Sequence, residues 1–129
     1  MTDEKSDIPA LVARGDAAAL EVALEGGADA RACGRWGVSA LAQAAGKGDL
    51  EAVELLLAHG AEVDRASESG NSALMAAAAA GRLEVVARLL EAGADPGHKN
   101  KWGLGAEDWS QWPGNTAELR VALSAGRSG

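Results

Sequence analysis

Apolar positions in this chain fall into short helical stripes that recur. Leu41, Ala44 and Ala45 stand at i, i+3 and i+4, and Leu50, Val53, Leu56 and Leu57 follow as a second, longer stripe. Steps of three and four residues put each set on one face of a helix. The pattern therefore predicts a short helix, a corner at Gly48 and a longer helix closed by Gly60. The next stretch repeats it, with Leu83, Val86, Leu89 and Leu90 between Gly81 and Gly93. Earlier, Ile8, Leu11 and Val12 take the short-helix positions, and Leu20 and Leu24 those of a long helix. Polar punctuation agrees with the stripes. Asp7 is placed to cap the first helix, with Pro9 in its first turn, and Asp49 to cap the second long helix, because a carboxylate there accepts from unpaired backbone N–H groups. Arg82 stands in the position equivalent to Asp49, so the third long helix should start with a weaker cap.

Glycine carries the period. Gly15, Gly48, Gly81 and Gly114 form one series, Gly27, Gly60 and Gly93 a second, and Gly37, Gly70 and Gly103 a third, each with a step of 33 residues. A left-handed residue just past a helix end suits glycine and strains any residue with a Cβ, which gives the recurrence a backbone reason. Self-similarity at this period marks one supersecondary unit copied and stacked. From Gly37 the chain reads G-V-S-A-L-A-Q-A-A-G-K-G-D-L-E-A-V-E-L-L-L-A-H-G-A-E-V-D, and from Gly70 it reads G-N-S-A-L-M-A-A-A-A-A-G-R-L-E-V-V-A-R-L-L-E-A-G-A-D-P-G.

These strings resemble the ankyrin repeat family. The resemblance implies an all-α solenoid of stacked helix-turn-helix units with β-turn fingers, covering residues from about 6 to 124. The units would be about 6–33, 34–66, 67–99 and 100–124, the first and last acting as caps, with flexible segments at 1–5 and 125–129. Its most specific parts are the glycine corners and the turns Gly60-Ala61-Glu62 and Gly93-Ala94-Asp95. The family's T-P-L-H segment is altered to Ser39-Ala40-Leu41-Ala42 and Ser72-Ala73-Leu74-Met75, so the inter-unit hydrogen bonds implied for its histidine lose their donor. The fourth unit has Glu107 at the buried leucine position, while Leu119, Val121, Ala122 and Leu123 supply a helix beyond Gly114.

Composition narrows the function. With no Phe, no Tyr and four Trp, the core must be stacked Ala and Leu. A net charge of −7 argues against general affinity for nucleic-acid phosphates or anionic membrane surfaces, since both need a basic face. The single cysteine, Cys33, forms no intrachain disulfide, and a reducing cytoplasmic setting is expected. The acidic, polar start from Met1 to Asp7 is neither a secretory signal nor a membrane span.

Catalytic chemistry finds no foothold. The histidines, His59 and His98, belong to no Ser/His/Asp arrangement and no H-E-x-x-H pair, and His59 reads as a solvated partner of a helix end. Cys33 has no second thiol for a metal, and the glycines contain no phosphate loop. Glu51 and Glu54 lie on a solvated outer face. The expectation is a protein that is not an enzyme and has no cofactor or metal.

Recognition remains. In the architecture the resemblance implies, turn tips and inner-helix ends line a concave face. By register these are Arg35, Trp36, Val38, Gly46 and Lys47, then Glu68, Ser69, Asn71, Ala79 and Ala80, then Lys101, Trp102, Leu104, Trp112 and Pro113. Trp36 and Trp102 hold equivalent tips two units apart, and Trp is enriched among interface hot spots. A second role stays open for both, because a Trp before the turn glycine also serves the family as inter-turn packing. Trp109 resembles an aromatic common in terminal repeats. Arg14, Arg35, Lys47 and Lys101 map to tips or inner-helix ends, whereas Glu21, Glu25, Glu51, Glu54, Glu84 and Glu91 belong to outer helices. The expected groove is locally basic and aromatic, with a shallow depression at Ala79 and Ala80. It suits a protein partner bearing an acidic and apolar patch, bound by a chain that is monomeric alone. One alternative is a stoichiometric inhibitor, an immunity or antitoxin protein of a partner enzyme. A more distant one is a small-ligand-binding protein or enzyme.

Overall fold

The structure is a computed structural model that describes residues 7–106. The sequence expectations that fall on Glu107, Trp109, Trp112, Pro113, Gly114 and the helix carrying Leu119 to Leu123, and on segments 1–5 and 125–129, lie outside the described residues. Six helices follow one another as short and long partners: α1 (Ile8–Arg14) with α2 (Ala17–Glu25), α3 (Ala40–Lys47) with α4 (Leu50–Ala58), and α5 (Ala73–Ala79) with α6 (Leu83–Glu91). The described residues hold no strand, and the turns between pairs carry two isolated antiparallel bridges, Cys33 to Ser39 and Lys99 to Gly105.

Each corner forms where its residues demand it. Gly15, Gly48 and Gly81 lie at φ 70°, 75° and 72°, in the left-handed region. At Gly48 the glycine N–H donates to Ala45 at 3.1 Å and the Asp49 N–H to Ala44 at 3.0 Å, so the last carbonyls of α3 are satisfied by the turn itself. The next helix starts at once. Carboxylates of Asp7, Asp16 and Asp49 accept from Ala10, Ala19 and Ala52 at 3.3, 3.0 and 3.1 Å. Arg82 makes no such bond, and α6 starts uncapped by a side chain as its sequence predicts.

The core is a ribbon of small and branched side chains between the helix layers. Leu41, Ala44 and Ala45 are buried on α3, as are Leu74, Ala77 and Ala78 on α5. On the long helices the buried positions are Ala52, Val53 and Leu56, then Val85, Val86 and Leu89. Leu50, Leu57, Leu83 and Leu90, expected inside the stripes, are only half-buried and pack on the core from its flanks. The apolar face is turned by about one residue from the leucine pattern: Ala52 is fully buried, while Leu57 lines the cleft between α4 and α6.

Bonds between units come from residues other than the family histidine. Lys47 sends its ammonium group back to α1, donating to the Val12 and Ala13 carbonyls at 2.8 Å each. Arg82 Nε donates to the Gly46 carbonyl of α3 at 3.4 Å. A cation from one unit thus answers the unpaired carbonyls and the negative dipole end of the preceding short helix. Arg82 gives up the N-cap role of Asp49 and takes on this one. His98 Nε2 faces the Gly70 carbonyl at 2.8 Å, and since a carbonyl only accepts, Nε2 carries the proton. At the altered histidine position, Met75 accepts the Ser72 N–H on its thioether at 3.4 Å. Lys47→Met keeps the aliphatic stem and removes both donated bonds, so it should lower stability by about 1 kcal/mol. Urea denaturation at low and high salt checks this, and an unchanged midpoint would show that the ammonium contributes nothing to stacking.

Candidate functional site

Three fingers, residues 33–39, 66–72 and 99–105, project from the stack in register. Each is closed by an equivalent backbone bond: Gly34 N–H to Val38, Ser67 to Asn71, and Asn100 to Leu104, at 2.8, 2.9 and 2.9 Å. Neighbouring fingers are joined by another. Glu68 N–H donates to the Trp36 carbonyl and Lys101 N–H to the Ser69 carbonyl, both at 2.9 Å. These repeats fix the spacing of everything the fingers carry. The third finger is fastened to the second by further contacts. Asn100, buried, donates from Nδ2 to Asn71 Oδ1 at 2.9 Å while its own Oδ1 accepts from the Trp102 and Leu104 N–H groups.

Trp36 and Trp102 stand out from this frame, 71% and 68% exposed, with Leu104 41% exposed beside the second. Neither indole is packed into its finger. Their backbones differ, however. Trp36 lies at φ 60° and ψ 20°, the one residue other than glycine with positive φ among the described residues. A bulky side chain in the left-handed region is strained by about 1–2 kcal/mol. Its carbonyl is held there by the Glu68 N–H.

Below the rim run two grooves. One, of about 190 Å³ and lying between the second and third units, is lined by Val38, Ala42, Ser67, Asn71, Ser72, Met75, Ala76 and Ala79. The other, of about 780 Å³ and more open, lies between the first and second units, where Pro9, Ala10, Ala13, Cys33, Trp36, Val38 and Gln43 meet Asp7 and Gly34. Val38 borders both. A third cleft of about 700 Å³ sits on the opposite face between α4 and α6, where Glu54 pairs with Arg88 beside Leu55 and Leu57.

The fingers carry Trp36, Val38, Glu68, Ser69, Asn71, Lys101, Trp102 and Leu104, of which Val38 and Asn71 line the smaller groove together with Ala79, while Ala80 is not among its lining residues. Two of the expected basic residues are engaged elsewhere. Lys47 is turned to the end of α1, and Arg14 lies 3.8 Å from Asp16. Among the described residues, no basic side chain lines either groove. Lys101 remains exposed at the rim, and Arg35 is described for its backbone in the turn only. Trp112 lies outside the described residues. Sequence reasoning missed Ala42, Gln43 and Met75 as groove residues. Ala42 and Met75 are equivalent, one unit apart, at the position of the family histidine, which was the available signal.

Charges elsewhere are mostly answered locally. Arg31 reaches Asp29 at 3.3 Å and Glu62 at 3.9 Å, and Arg65 reaches Glu62 at 3.9 Å. The Arg31 backbone N–H and then its guanidinium hold the Asp29 carboxyl below its ordinary range. Among the described residues no helix is long and apolar enough to cross a membrane, and no group of three or more His, Cys, Asp or Glu is placed to hold a metal ion.

No curated protein matches the chain significantly. The family model of ankyrin repeats, in three copies, matches residues 10–100. Helix pairs, left-handed glycine corners and fingers repeat through that same span, and the chain belongs to the ankyrin repeat family.

Proposed function

We propose that this chain binds a partner protein through its finger tips and the concave face beneath them. Ankyrin repeats are generally protein–protein interaction modules, and theirs is a non-enzymatic interaction fold. The observation that carries the site is the pair of exposed indoles, Trp36 and Trp102, on equivalent fingers. A monomeric protein seldom leaves two large aromatics in water on one rim without a use for them, and burial of such rings is a main source of interface energy. Lys101, exposed next to Trp102, suits an acidic group on the partner at that end of the rim. The chain acts in this reading as a cytoplasmic monomer that takes one partner.

A photo-crosslinking amino acid placed at Trp36 or Trp102 should capture the partner in the native cell. The same group at Glu51 or Glu84, on the outer helices, should not. Capture from the outer positions with none from the fingers would move the site to the convex face.

A further inference from the structure

We infer that Trp36 and Glu68 form a subsite for a cationic side chain, Arg or Lys, of the partner protein, next to a pocket that takes an aliphatic one. The inference rests on the binding face proposed above. It adds the chemistry of one partner segment.

The fingers contain one carboxylate, Glu68. Elsewhere, Asp7, Asp16 and Asp49 cap helices, Asp29, Glu54 and Glu62 pair with arginines, and Asp64 accepts the Asp95 N–H. Glu68 is exposed and makes no side-chain hydrogen bond or ion pair among the described residues. Its place is fixed nonetheless. The Glu68 N–H is bonded to the Trp36 carbonyl at 2.9 Å, and its Cγ lies 3.4 Å from where a Cβ on Gly37 would stand. The side chain therefore starts out against Gly37, the residue next to the exposed Trp36.

A carboxylate beside an indole attracts a cation by two routes, the negative charge and the negative ring face. Arginine fits best, because its planar guanidinium stacks on the ring while donating to the carboxylate. The groove begins one residue away on each side. Ser67 precedes Glu68 and Val38 follows Gly37, and both line the 190 Å³ pocket with Ala42, Met75, Ala76 and Ala79. That volume accepts one aliphatic side chain, and the lining holds no charge. The occupant is a partner segment in which an aliphatic residue adjoins a basic one. The charge that Glu68 suits is opposite in sign to what Lys101 suits on the adjacent finger, so the two positions set the direction of the bound segment.

Random displayed peptides selected on the whole chain test this, with wild type, Glu68→Lys and Trp36→Ala as parallel baits. Wild type should enrich peptides with Arg or Lys beside Leu, Val or Met. Glu68→Lys should discard them and enrich Asp or Glu at that place, and Trp36→Ala should lose the basic set. In titrations of one selected basic peptide, Glu68→Gln should weaken binding about fivefold, with the gap closing in 1 M salt. If peptides depend on Trp36 but carry no basic preference, or keep it unchanged on Glu68→Lys, the cation subsite is overturned and the binding face stands. If none is enriched, or those enriched ignore Trp36 and Trp102, the binding face falls and the subsite with it.

Discussion

Gly70→Ala is expected to lower the stability of the stack by about 2–4 kcal/mol, the largest loss among the finger-tip glycines. Two terms add. Gly70 lies at φ 85°, where an L-residue is strained by about 1–2 kcal/mol. A Cβ there would also stand 3.0 Å from Asn100 Cα and 3.1 Å from the Lys101 nitrogen. Those are backbone atoms, which no rotamer change can clear. The third finger must back away, and with it go the His98 bond to the Gly70 carbonyl, the Asn100–Asn71 bond and the Lys101 bond to Ser69, worth together about another 1–2 kcal/mol. Gly103 separates the terms. It has φ 76° and nothing within 4 Å of a Cβ, so Gly103→Ala should show the conformational part alone, about 1–2 kcal/mol. Because stacked units hold only their neighbours, Gly70→Ala should speed amide exchange over residues 98–106 more than over α1 and α2. Equal losses at Gly70 and Gly103, with exchange unchanged near Asn100, would show that the fingers do not press on one another.

That contrast marks what the sequence could carry. A helix corner or a cap is a local demand, met by residues a few positions apart, so Gly48, Asp49 and Pro9 announce themselves in any copy of the unit. Packing of one unit on the next is a different matter. Lys47 looks like a free cation until α1 is set beside it, and Arg82 looks like a missing cap until its reach to Gly46 is known. Likewise the leucine stripe of α4 could not show that Ala52, not Leu57, faces inward. The candidate site divides the same way. Trp36, Glu68 and Trp102 follow from the repeat register, whereas the pocket between the second and third units depends on two residues, Ala42 and Met75, that are ordinary apolar positions in the string. Trp36 and Trp102 both precede a glycine, yet only the first is left-handed, a difference that no local pattern marks.

Loss of both indoles should have the largest effect on binding. Trp36→Ala with Trp102→Ala is expected to weaken the partner complex by roughly 2 kcal/mol or more, mainly through faster dissociation, since desolvated aromatic anchors hold a formed complex rather than hasten its encounter. Lys101→Ala should chiefly slow association and flatten its salt dependence. Glu51→Ala with Glu84→Ala should do little, as both side chains are exposed on outer helices. The strained backbone of Trp36 adds a sharper test. A residue at φ 60° would be relieved by glycine, so Trp36→Gly should leave the melting temperature unchanged or raise it slightly, the released strain offsetting the greater freedom of the unfolded chain. A packing residue would behave in the opposite way, because its removal would expose apolar surface and lower stability. Trp36→Gly that melts like wild type and binds at least tenfold more weakly would mark strain maintained for recognition. Trp36→Gly that is clearly less stable and binds as before would make Trp36 a structural residue and leave the site without its first anchor.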